Sequence, residues 1–249
     1  MVTFDLVMLF GLIVLAAAIY SAVGHAGASG YLAAMALMGV PPAIMKPTAL
    51  TLNIIVATLG TYRLHRAGLV NLSALTPLLV GSIPMAFVGG AIQLPGHWYR
   101  LIVGLILLVA AVKLFFDKTS GNKPGAVADR KIPFFAGMLI GMAIGLLSGL
   151  TGTGGGIFLS PVLVLFGWAN ARQASGITAP FILVNSIAGL AGNLAILKSL
   201  PPELPYLVVA ALCGAFLGTH LGIKRFSIAT LQRVLAVVLV VAAAKFITT

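Results

Sequence analysis

Ten apolar runs, most of them close to the length that crosses a lipid bilayer, constrain this chain more than any other feature. They cover 4–23, 30–40, 48–63, 73–92 and 98–116, then 133–148, 156–167, 175–197, 204–223 and 228–247. A hydrocarbon core about 30 Å thick takes roughly 20 helical residues to cross. Composition points the same way, with 60% hydrophobic and 8% charged residues where a soluble domain carries about a quarter charged. A water-soluble protein of 249 residues with this makeup could not cover its own surface. The expected fold is an all-α integral membrane protein.

The runs fall into two sets of five. Between them lies "DKTSGNKPGAVADRK" (117–131), which reads as a flexible linker. The expected organisation is a first transmembrane repeat over 1–116, a cytoplasmic linker over 117–131 and a second repeat over 132–249. Asn53 and Gly60 align with Asn185 and Gly192, seven residues apart in both halves. "VAAVK" (109–113) matches "VAAAK" (241–245), and "AFVG" (86–89) matches "AFLG" (215–218), in the same order. Three ordered matches at nearly one offset indicate an internal duplication.

Basic residues indicate its sense, because they collect on the cytoplasmic side. If each half makes an odd number of crossings, Arg63, Arg66, Lys113, Lys118, Lys123, Arg130, Lys131, Arg172, Lys224, Arg225 and Arg233 share one side. Lys46, Arg100, Lys198 and Lys245 lie opposite, a split of 11 to 4 among the 15 Lys and Arg. The even alternative gives 9 to 6. The count therefore favours inverted repeats in the cell inner membrane, with both termini outside the cytoplasm and the linker inside.

Two runs, 30–40 and 156–167, are too short to span, and each follows a glycine-rich break. The breaks are "SAVGHAGASG" (21–30) and "SGLTGTGGG" (148–156). Each half then reads as a glycine-broken helical hairpin plus three transmembrane helices, the hairpin tips stopping inside the membrane. Non-helical backbone lies at membrane depth only where protein or a water-filled cavity satisfies it. The tip also presents the free N–H groups of the next half-helix, which attract an anion. Inverted repeats would bring two such tips together near the midplane, as in transporter binding sites. The alternative is that the glycines only let helices pack closely, and the G-x-x-x-G runs "GMLIGMAIGLLSG" (137–149) and "GAFLGTHLG" (214–222) are assigned to packing.

Several functions are disfavoured on residues. The dinucleotide fingerprint fails at Ile157, and no Gly-Lys pair exists for a phosphate loop. One cysteine, Cys213, excludes a disulfide framework and multi-cysteine metal sites, and His25, His65, His97 and His220 lack ligand spacing. No cofactor or metal is expected. The net charge of +11 is read as orientation signal rather than nucleic-acid binding. No Lys or Arg precedes Lys46, so no cleavable signal is expected. No Ser/His/Asp set or carboxylate pair lies in the apolar runs, which disfavours an intramembrane enzyme.

The pattern "GLLSGLTGTGGGIFLSPVLVLFG" followed by "TAPFILVNSIAGLAGN", in a duplicated chain of this length, resembles the sulfite exporter TauE/SafE family of membrane permeases. The first half carries it in degraded form, "GHAGASG". The resemblance implies a permease for a small sulfur-containing anion, a sulfonate or sulfite. A passive channel for small oxyanions or carboxylates is the alternative, and a homodimer remains open, since the G-x-x-x-G faces could pack within one chain or between two.

The expected substrate-binding residues are Ser21, Gly24, His25, Gly27, Ser29 and Tyr31 around the first tip, and Thr151, Gly152, Thr153, Gly154 and Gly155 in the second. Thr48, Asn53, Thr178 and Asn185 join them from the following helices. Asn53 and Asn185 either clamp a tip or donate to substrate, and Thr48 and Thr178 either cap their helices or donate. His25 is the internal candidate for proton coupling, because Asp5, Asp117, Asp129 and Glu203 all map to ends or loops. Lys46 reads as a lysine reaching for the interface, or else as a charge that draws the anion in.

Overall fold

The computed structural model describes residues 3–22, 25–116, 132–193, 200–221 and 228–248. The expected linker and Gly24 lie outside these residues. Ten helices match the ten apolar runs: α1 (Thr3–Ala22), α2 (Ala28–Leu37), α3 (Pro42–Arg66), α4 (Leu72–Ala91) and α5 (Gly96–Phe116), then α6 (Phe134–Thr151), α7 (Gly156–Leu165), α8 (Ala171–Gly192), α9 (Leu204–Leu221) and α10 (Ile228–Thr248). Among the described residues six helices are long and apolar enough to cross a bilayer: α1, α3, α4, α5, α6 and α8. Large apolar side chains such as Val7, Phe135, Leu139 and Leu165 point outward, a pattern that fits lipid and not water.

All three sequence matches fall on helices of equal rank in their halves, α3 with α8, α4 with α9 and α5 with α10. The short helices repeat in detail as well. Each has 10 residues, about 15 Å or half the hydrocarbon core. Both end in the same paired reversal about a left-handed glycine. Gly39 N–H donates to Ala36 O (3.1 Å) and Val40 N–H to Met35 O (2.9 Å); Gly167 N–H donates to Val164 O (3.1 Å) and Trp168 N–H to Leu163 O (2.8 Å). The hairpins are lopsided, however. Their first arms, α1 with 20 residues and α6 with 18, are each long enough to cross, and only the returning arms are short.

The G-x-x-x-G runs pack helix on helix inside the chain. Gly137, Gly141, Gly145 and Gly149 of α6 meet Pro77, Leu78, Ser82 and Ala86 of α4 in rising order, so these two helices run parallel. At Gly141, Gly145 and Gly149 an added Cβ would strike an α4 carbonyl oxygen. In the same way Gly214 and Gly218 of α9 lie on Val14 and Ala18 of α1. Helices α3 and α8 run antiparallel, with Leu50 and Gly60 facing Gly189 and Ala179, and Leu69 just beyond the end of α3 facing Gly176.

The halves are therefore interleaved. One buried core gathers residues of α1, α2, α3, α5, α9 and α10, with Ile157 of α7 and Ile182 of α8 at its edge. A second joins α4 to α6, α7 and α8. The first core takes the fourth and fifth helices of the second half, and the second core takes the fourth helix of the first.

Two helix starts differ from expectation. Helix α3 begins at Pro42 behind Pro41, and α8 at Ala171 behind Asn170, whose side chain forms a capping box with Gln173. Thr48 and Thr178 are thus well inside their helices and cap nothing. Helix α3 continues through Lys46 and Pro47 because proline near a helix start removes few hydrogen bonds and because the Lys46 ammonium is satisfied elsewhere.

Candidate functional site

The second tip is built by three left-handed glycines in four residues. Gly152 (φ 84°), Gly154 (φ 73°) and Gly155 (φ 79°) turn the chain from α6 into α7. Side chains other than glycine rarely adopt this region, at a cost of about 1–2 kcal/mol each. Gly155 is the residue before α7, and no side chain caps that helix, leaving its first N–H groups without an acceptor in the helix.

The tip rests between α3 and α8. A Cβ at Gly154 would stand 2.8 Å from Asn53 Nδ2 and 3.1 Å from Ser186 Oγ. One at Gly155 would lie 3.5 Å from the Ser148 Cβ, and one at Gly152 would meet the main chain of Lys46. Thr151 Oγ1 donates to Leu147 O (2.6 Å) and lies 3.1 Å from Thr153 Oγ1. From α5, the Tyr99 hydroxyl donates to Thr151 O (3.0 Å).

Buried polar atoms gather around this tip without protein partners. They are both amide atoms of Asn53, Oδ1 of Asn185, and the hydroxyls of Ser148 and Ser186. Asn185 Nδ2 donates to Phe181 O (2.8 Å), inside its own helix, so this amide has one of its two N–H groups already used. Most buried polar groups in proteins are paired. So many unpaired around one uncapped helix start can accept and donate to a polar guest.

The first tip is more self-contained. Gly27 (φ 105°) precedes an uncapped α2, and the Tyr31 ring covers it. The Tyr31 hydroxyl donates to Ala26 O (2.5 Å), and Tyr20 and Ser29 share a hydrogen bond between their hydroxyls. Neither Tyr31 nor Ser29 thus directs a free hydroxyl outward. Ser21 Oγ is buried without a partner, and Ser21 and His25 line a small cavity of about 30 Å³ with Gly60 and Arg63 of α3.

His25 leaves the first tip and reaches the other core. Its Nε2 lies 2.6 Å from Ser160 Oγ on α7, which lies 3.2 Å from Thr178 Oγ1 on α8. This chain links the first tip, the second half-helix and α8. Lys46 makes another crossing: it is buried in protein, and its Nζ donates to Gly89 O (3.0 Å), Gly90 O (2.8 Å) and Ile92 O (3.1 Å) at the end of α4.

The structure sets Asn53 against the second tip with Ser186, the residue after Asn185, joins His25 to Thr178 through Ser160, and places Thr48 on a separate cavity with Leu9, Met35 and Leu207. Sequence reasoning missed Ser148, Ser160, Ser186 and Tyr99. Ser186 carries a signal, since it follows Asn185. Ser148 lies in a run read as packing, and nothing local distinguishes Ser160.

Comparison with known proteins agrees with this architecture. The family model for the sulfite exporter TauE/SafE matches residues 9–246. The chain is similar to "Probable membrane transporter protein y4hK" of Sinorhizobium fredii, 37% identical over 92% of each chain. It is also similar to "Probable membrane transporter protein YjnA" of Bacillus subtilis, 26% identical over 97% of this chain and 98% of the other. No solved structure matches. With nearly its whole length matched, the chain belongs to the sulfite exporter TauE/SafE family of membrane transporters.

Proposed function

We propose that this protein is a secondary transporter of a small sulfur-containing anion of the sulfonate or sulfite class. The anion is held at the second tip by the first N–H groups of α7 and by Asn53 Nδ2, with the hydroxyls of Ser148 and Ser186 beside it. The observation that carries this reading is the set of unpaired buried polar atoms around an uncapped, glycine-started half-helix. No carboxylate is among them, which leaves the positive end of the helix dipole unopposed.

In this reading the halves are inverted repeats in the cell inner membrane, with the linker inside and both termini outside. The antiparallel courses of α3 and α8 support the inversion. The bodies that move for alternating access are the two cores and not the two repeats, because sliding one repeat past the other would break the close α4–α6 and α1–α9 packing. The His25–Ser160 contact joins the two bodies.

The test is uptake of labelled sulfite, taurine, isethionate, sulfate and acetate by proteoliposomes. Saturable uptake confined to sulfur anions is expected. Hydrogen bonds to charged groups contribute about 1.5–3 kcal/mol, so Asn53→Ala with Asn185→Ala should cut uptake on the order of a hundredfold while the protein stays folded. Undiminished uptake by that double variant would remove both amides from the site.

A further inference from the structure

A second cavity, of about 290 Å³, opens on the face where α3 and α5 begin and α4 and α8 end. Its walls include Lys46, Gln93, Gly96, Tyr99, Leu150 and Asn193, and among the described residues no acidic side chain lines it. Three independent features make it positive. Lys46, 7% exposed, places its ammonium on Ile92 O at the cavity wall. Asn193, 3% exposed, brings there an Nδ2 that donates to no protein atom. Helix α5 starts in the wall at Gly96, with the first N–H groups of a 21-residue helix.

These charges do not cancel. The α4 carbonyls that Lys46 caps carry the negative end of a helix dipole, about half an elementary charge. They leave about half of the lysine's charge, and the start of α5 adds about half a positive charge. The start of α3 at Pro42 adds as much again, and the ends of α6 at Thr151 and α8 at Gly192 each take about half a charge away, so the cavity keeps a net positive charge of about half a unit beside the Asn193 amide.

The far wall of the cavity is the back of the second tip. Leu150 precedes Thr151, whose carbonyl accepts from Tyr99, and the Lys46 main chain lies against Gly152. We propose that this cavity is a second anion site, a vestibule that holds a small oxyanion against Lys46, Asn193 and the first turn of α5. It is one layer of side chains from the tip. This rests on the reading that the protein carries small anions, but not on the tips being where they bind.

The experiment is equilibrium binding of methanesulfonate and of sulfite to the purified full chain in detergent. Wild type is compared with Asn193→Asp, Asn193→Gln, the Asn53→Ala/Asn185→Ala pair, and that pair with Asn193→Asp. Thermal unfolding verifies the fold of each. Two binding events are expected in wild type. A carboxylate at 193 facing the bound anion should weaken one of them on the order of tenfold, while Asn193→Gln, which keeps the donor, retains it. The Asn53/Asn185 pair should keep that event and lose the other. Both events surviving in the pair defeats the tip site and leaves the vestibule standing. A single event abolished by the pair defeats the vestibule and leaves the tip standing. Unchanged binding in Asn193→Asp, or equal loss in Asn193→Gln, also overturns the vestibule.

Discussion

The two tips occupy equal places in their halves, and they use their polar groups differently. Around the first, Tyr20, Ser29 and Tyr31 bond one another or the tip's own backbone, and Gly27 is covered by a ring. Around the second, the glycines pack closely against Asn53 and Ser186, and the Asn53 amide, the Asn185 Oδ1 and the Ser148 and Ser186 hydroxyls have no protein partner. Two similar breaks stand at the same place in the two halves, and side-chain chemistry distinguishes them. Most hydroxyls of the first are tied up by its own residues, and the second leaves several donors and acceptors unpaired.

The sharpest way to break this comparison is at Gly154. Gly39 (φ 70°) and Gly154 (φ 73°) share a left-handed backbone, but nothing lies within 4 Å of an added Cβ at Gly39, whereas Asn53 and Ile182 stand 2.8 Å from one at Gly154. Both alanine variants carry the left-handed cost of about 1–2 kcal/mol. Gly154→Ala should in addition abolish uptake, while Gly39→Ala keeps it. Equal uptake in the two would mean that the second tip is not fitted to its surroundings.

A smaller effect is expected at the first tip. Tyr31→Phe leaves the Ala26 carbonyl without its donor, a loss of about 1–3 kcal/mol, read in the unfolding midpoint. The KM for the anion should not move; a changed KM or selectivity would put this hydroxyl in contact with substrate. The smallest effect joins the tips. A double-mutant cycle of His25→Ala and Ser160→Ala should show coupling of about 0.6–1.7 kcal/mol, the range for hydrogen bonds between membrane helices. Read on uptake rates, zero coupling would mean that the tips act independently.

Apolar run length was enough to place all ten helices, because the bilayer imposes one length on every full crossing. The packing role of the glycine runs was equally legible, since small residues four apart leave a groove only another backbone can fill. Helix starts were less so. Lys46 and Pro47 interrupt the apolar pattern of α3 at its second turn, and only the distant carbonyls of α4 explain why a charge is tolerated there. The same limit hid Ser160. Its partner, His25, is 135 residues away, and no local pattern announces a contact that two cores make across their boundary.

The interleaving of the halves bears on how such a chain is made. When α4 leaves the ribosome its glycine partner α6, which starts at Phe134, has not been synthesised, and α1 must wait for α9 at Leu204. The membrane therefore holds helices whose grooved faces stay unmatched until late in translation. The second core closes only when three helices of the second half have joined α4 from the first, and the first core only when α9 and α10 have reached the helices made before them.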